Sequence, residues 1–174
     1  MKRAALISAA EDVLQQGLAL LDNIDDESYS HKEDGAWGSS IGAHYRHMLE
    51  HFLCLIEGLS DSQINYDHRG RNRDIEGSIE TARHATLDLI EGLNAIPDAA
   101  LKQECTVIYS VGYNENEAQA VHSVVARELM FCAGHAIHHY AIVKLLCSLR
   151  AVPLPWEFGI APSTLKDQQA QAAR

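Results

Sequence analysis

Six of the ten histidines in this 174-residue chain fall into two short clusters, His44, His47, His51 and His135, His138, His139. Imidazole is the commonest protein ligand for a transition metal and the side chain that ordinarily changes charge near neutral pH, so clustered histidines point to metal binding or proton transfer. A helix turns about 100° per residue, which puts His135 and His139 on one face, one turn apart. Cys132, Ala136 and Val143 share that part of the wheel, so both rings turn toward a core, while His138 is rotated to the edge. A buried imidazole left without a partner costs about 1 to 3 kcal/mol, and ligation to one cation satisfies both rings. His44, His47 and His51 occupy an arc of about 60° beside an apolar stripe, and spacing leaves the three equivalent as source of a third ligand. Three histidines from two helices would leave coordination positions open, as in reactive rather than purely structural sites.

The elements that must position these residues are helical by periodicity. Leu6, Ala10, Val13, Leu14 and Leu21 predict a first helix over about 3–23, followed by a loop from Asp22 to Trp37. Ser39 or Ser40 is placed to cap a second helix, carried to Leu59 by Ile41, Met48, Phe52 and Leu55. Ser60 to Asp74, with the charged run His68 to Asp74, reads as a long surface connection. Ile79, Ala82, Leu89, Ile90 and Leu93 predict a third helix from about Ile75 that Pro97 stops. β-Branched and aromatic residues between Cys105 and Tyr113, with turn residues Gly112 and Asn114 to Asn116, predict a small β-hairpin. A fourth helix is expected from about Val121 to Leu149, interrupted only by Gly134. The tail after Arg150, with Pro153, Pro155 and Pro162, reads as irregular, its Trp156, Phe158 and Ile160 packing back onto the helices. The expected fold is all-α, an antiparallel four-helix bundle with a small hairpin before the last helix.

Bulk composition narrows the function classes. The length is that of one domain, 1–174, and 47% hydrophobic with 22% charged residues is ordinary for a globular protein. A net charge of −10 argues against a general nucleic-acid or anionic-membrane role. The opening Met1 to Ile7 starts like a signal peptide, but Glu11 and Asp12 break the apolar run, and no stretch of about 18 uninterrupted apolar residues exists. A cytoplasmic protein is expected. Cys54, Cys105, Cys132 and Cys147 form no CxxC pair, so reduced thiols are expected rather than a disulfide or zinc-ribbon framework.

The stretch Ser40-Ile41-Gly42-Ala43-His44-Tyr45-Arg46-His47-Met48-Leu49-Glu50, with His135-Ala136-Ile137-His138-His139, resembles the DinB/YfiT-like superfamily of metal-binding four-helix bundles. Helix order agrees along nearly the whole chain. In that family a second-helix histidine follows a Ser near the helix start by seven residues and precedes an acidic residue by three; Ser40, His47 and Glu50 match. The resemblance therefore implies a metal held by His47, His135 and His139. Members of the superfamily are similar to thiol S-transferases using bacillithiol, mycothiol or glutathione, to a maleylpyruvate isomerase, and to the metal-binding domain of ergothioneine-forming enzymes, while many others have no assigned activity, so the resemblance does not by itself fix the reaction.

Three functions follow as expectations. The first is a metal-dependent S-transferase acting on a small-molecule substrate through a low-molecular-weight thiol, with a cavity opening from the metal. The second is a hydrolase using metal-activated water; the third is a non-catalytic metal-binding stress-response module, dimeric through a helix face. One divalent ion, Zn, Ni, Fe or Cu, suits an all-imidazole site. Glu50, Glu128 or backbone carbonyls are candidates to take the outward N–H groups, and Glu50 is read equally as a solvent-facing charge. His44 and His51 are read either as pocket-lining or as helix-surface residues, and Cys132 as core rather than as a fourth ligand. Arg69, Arg71 and Arg73 are expected either to be solvated or to clamp a cofactor carboxylate. His31, His68, His84 and His122 carry no spacing argument.

Overall fold

The computed structural model describes residues 5–34, 38–113 and 118–173. Among the described residues, seven α-helices and three strands follow one another as α1 (Ala5–Leu21), α2 (Asp26–Ser30), α3 (Ile41–Gly58), β1 (Gln63–Asn65), α4 (Arg73–Gly77), α5 (Ile79–Ala95), β2 (Glu104–Ser110), β3 (Ala118–Val124), α6 (Val125–Leu149) and α7 (Pro162–Ala172). The long helices α1, α3, α5 and α6 pack in a cycle, α3 on α6, α6 on α1, α1 on α5 and α5 on α3. Their buried stripes, such as Ile7, Ala10, Val13, Leu14, Leu20 and Leu21 on α1, close one apolar core.

The architecture is mostly helical but not all-α. The expected hairpin is present as the antiparallel pair β2–β3, and β1 adds to β2 in parallel to make a three-stranded sheet. Residues 121–124, expected to start the last helix, are strand instead. They pair with Glu104 to Val107, and this tertiary pairing overrides their reading as the first turn of the helix. The turn residues Asn114 to Asn116 lie outside the described residues, as do Arg3 at the start of the first expected helix and Trp37 at the end of the first loop.

Three further boundaries differ from expectation for local reasons. The loop after α1 contains α2, capped by Asp25, whose carboxylate accepts from Ser28 N. The third expected helix is two: Asn72 caps α4 and Ser78, in extended conformation, ends it and caps α5 through Thr81 N. The tail is not irregular throughout, because Pro162 opens α7, which buries none of its residues. Phe158 is buried and Ile160 half-buried, whereas Trp156 is exposed and so does not pack as expected.

Ser40 caps α3, its hydroxyl accepting from Ala43 N at 3.0 Å, and thereby fixes the phase of the first histidine cluster. Gly42 lets α3 approach α4, since a Cβ there would strike the Glu76 carbonyl and the Tyr29 ring. Gly17 does the same for α1, where a Cβ would meet Tyr140 Oη and stand 2.6 Å from Tyr45 Oη. Tyr45 and Tyr140 adjoin His44 and His139 in sequence, so this contact sets the spacing of α3 and α6 beside the clusters. Among the described helices, α6 is the one long and apolar enough to cross a membrane, at a mean hydropathy of 1.2; its Leu129, Cys132, Ala136, Tyr140 and Val143 are buried in the core.

Candidate metal centre

The two clusters meet where α3 packs on α6. His47, His135 and His139 form a group whose ligand atoms all lie within 4.8 Å of one another. His135 Nε2 faces His47 Nε2 at 3.1 Å. Nitrogens bound to one cation at about 2.0 to 2.1 Å stand roughly 2.9 to 3.4 Å apart between octahedral and tetrahedral angles, so this pair already has ligand spacing. The His47 and His139 ring centroids are 4.6 Å apart, as are those of His135 and His139.

All three rings are held neutral at physiological pH. Burial lowers His47 to about 2, helped by the charges of His51, His139, Arg69 and His135. Burial first, then neighbouring histidines, lowers His139 to about 3; burial, then His51, His138 and Arg69, lowers His135 to about 4. A neutral imidazole offers the lone pair that ligation needs without first losing a proton.

Surrounding groups fix the rings. His139 Nδ1 lies 3.0 Å from His44 Nδ1, which leaves Nε2 of His139 for the other two rings. His44 thus braces His139 rather than standing apart from the group. His51 is fully buried, not on the helix surface; its Nδ1–H donates to the His47 carbonyl at 2.8 Å and its Nε2 is buried without a partner among the described residues. Its ring lies 4.1 Å from that of His135 and stacks on Tyr66. Phe131 also stacks on His135, at 5.6 Å and 27°.

The two glutamates expected behind the ligands serve other partners. Glu50 is buried and accepts from Arg46 at 3.3 Å and from Asn72 N at 3.0 Å, tying α3 to the start of α4. Glu128 is buried and accepts from Tyr66 Oη, Arg127 and Ser123, tying α6 to the sheet. Cys132 is core as expected: its thiol points at the His51 carbonyl, and burial pushes its pKa up to about 12. His138 is exposed, as are His31, His68, His84 and His122.

The three arginines do not form one clamp. Arg71 and Arg73 line a cavity of about 290 Å³ with Lys32, Arg46 and Glu76. Arg69 instead sits close enough to His47, His51 and His135 to lower all three, and its buried Nε has no hydrogen-bond partner among the described residues. Tyr66 and Phe131 were not identifiable from spacing. Tyr66 follows a three-residue strand, and Phe131 looks like any other apolar residue of α6.

A second cavity, of about 280 Å³, opens against His135 between the sheet and α6. It gives the histidine group a side facing open space. The arrangement can hold one cation on three neutral imidazoles and present it to a small molecule.

No family model matches the chain, and no solved structure does. The chain is similar to a protein named FK506-binding protein 5 from Rhizopus delemar, 30% identical over 108 residues, a match covering 62% of this chain and 28% of that relative. The chain therefore spans less than a third of the relative's length.

Proposed function

We propose that this chain is a DinB-like four-helix-bundle protein that binds one divalent metal ion through His47, His135 and His139 and acts as a low-molecular-weight-thiol S-transferase on a small molecule in the cytoplasm. The observation that carries the reading is the convergence of three neutral imidazoles, from segments far apart in sequence, at ligand spacing. The resemblance of the Ser40 to Glu50 and His135 to His139 stretches to that superfamily supports it further. Bound there, a divalent cation supplies Lewis acidity that lowers the pKa of a thiol or water.

The chain's own residues define the remaining work. His44 and Phe131 fix the ligand rings, and Arg69 offers a positive charge, unpaired among the described residues, to an anionic reactant beside them. The protein's own thiols are poor nucleophiles, since burial raises Cys54 and Cys147 to about 11 and Cys132 to about 12. The attacking sulfur must therefore come from a separate thiol. Its sulfur bonds to the electrophilic carbon, the leaving group departs with the bonding electrons, and the thiol proton passes to solvent.

The test is turnover of 1-chloro-2,4-dinitrobenzene by the Zn(II)- and Ni(II)-loaded protein with glutathione, bacillithiol or mycothiol. Thiol-dependent loss of the electrophile that a chelator abolishes and metal restores supports the reading. Ester or amide hydrolysis without thiol, or bound metal with neither reaction, replaces it with a hydrolase or a non-catalytic module.

A further inference from the structure

We infer that the cavity between β2, β3 and the first half of α6 is the recognition pocket for the substrate's apolar part, and that it selects a compact, neutral aromatic group of one or two rings. The inference deepens the proposed function and rests on it for which end of the substrate reacts. The cavity stands on its own geometry.

His135 forms part of the wall, so a molecule lodged there abuts the histidine group. The remaining wall is made mainly by Tyr66, Tyr109 and Phe131 and by the valine pair Val107 and Val121, which face each other directly across β2 and β3. The rings meet at steep angles: Tyr66 and Phe131 at 5.2 Å and 55°, Tyr66 and Tyr109 at 6.2 Å and 77°. Such a wall offers both ring edges and ring faces, and an aromatic guest gains edge-to-face contacts there that a saturated ring of equal area does not.

The buried polar groups of the wall, Tyr66 Oη and the Glu128 carboxylate, are already committed. Tyr66 Oη donates to Glu128, and the other Glu128 oxygen accepts from Ser123 and Arg127. Arg127 also lies over the Phe131 ring at 5.5 Å. A charged guest at the Tyr66 and Glu128 end would therefore be desolvated against partners that are already taken, whereas a neutral ring loses little. A cavity of about 280 Å³ equals roughly nine waters at about 30 Å³ each, room for one or two fused rings. Val121 is 55% exposed, an apolar side chain at the mouth that the core does not use.

Calorimetric titration of the full chain with 1-naphthol and with decahydro-1-naphthol, metal-free and Zn(II)-loaded, tests the inference. Saturable naphthol binding is expected in both states, tighter than for the saturated alcohol. Val121→Trp, which fills the mouth from an exposed strand position, should weaken naphthol by about ten-fold or more while leaving Zn(II) stoichiometry unchanged. Phe131→Leu should narrow the preference for naphthol over its saturated counterpart. Absent naphthol binding, binding untouched by Val121→Trp, or equal affinity for the two alcohols overturns the inference. If wild type fails to bind Zn(II) while the naphthol results hold, the metal reading falls and the pocket stands.

Discussion

Replacing Gly17 by alanine should loosen the molecule at the level of the histidines, although α1 carries none of them. The new methyl would collide with Tyr140 Oη and lie 2.6 Å from Tyr45 Oη, and both rings are fully buried ends of rigid side chains. Overpacking of this kind costs about 1 to 3 kcal/mol, and replacing glycine inside a helix returns about 0.5 to 1 kcal/mol. The net loss is up to about 2.5 kcal/mol, a fall in Tm of up to roughly 10 °C for a chain of this size. Because Tyr45 and Tyr140 sit beside His44 and His139, Zn(II) affinity should fall with it. Gly134→Ala is the control, since a Cβ there meets nothing within 4 Å and should stabilise α6 by about 0.5 to 1 kcal/mol. Tyr140→Phe in the Gly17→Ala background removes the colliding hydroxyl, which is buried without a hydrogen-bond partner among the described residues, and should recover part of the loss. Calorimetric Tm values and Zn(II) titrations read all three. Equal gains in stability from Gly17→Ala and Gly134→Ala would refute the packing argument.

Other perturbations have defined outcomes. In the metal-free protein, His47, His139 and His135 have native pKa values near 2, 3 and 4 against an ordinary value of 6.5. The unfolded chain therefore binds more protons as pH falls through about 6.5, and stability should drop between pH 7.5 and 5.5; urea denaturation showing no drop would contradict the burial of these rings. Glu50→Ala strips a buried partner from Arg46 and Asn72 N and should cost about 2 to 4 kcal/mol in denaturant while leaving metal stoichiometry intact. Cys132→Ala should likewise retain full metal occupancy, because the thiol faces the His51 carbonyl; loss of metal would make it a ligand.

The parts of the fold that were legible are those whose signal is periodic. The stripes of α1, α3 and α5 marked their cores, and the Ser39-Ser40 pair marked the start of α3 to within one residue, because a capping hydroxyl and a recurring apolar residue are local facts. The sheet was legible only as a hairpin. β1 is three residues long with a single buried side chain, and β3 buries none of its residues, so neither carries an alternation strong enough to read. At α6 the apolar pair Val124 and Val125 straddles strand and helix, and only pairing with β2 sets the boundary. In the site, the i, i+4 pair His135 and His139 was legible from helix geometry, but choosing His47 from its arc required the resemblance. Glu50 and Glu128 looked like partners for the imidazoles because sequence distance from a histidine says nothing of which side of the helix a loop or strand will cover. The loop at Asn72 and the strand residue Ser123 claim them instead.

Elemental analysis and Zn(II) titration of the purified wild-type chain beside His47→Ala and His139→Ala bear most directly on the shared imidazole site. One equivalent of divalent metal in wild type, lost or weakened by orders of magnitude in both variants with helical content preserved, is the predicted result. Full occupancy in both variants, or none in the wild type under metal-replete conditions, would contradict it.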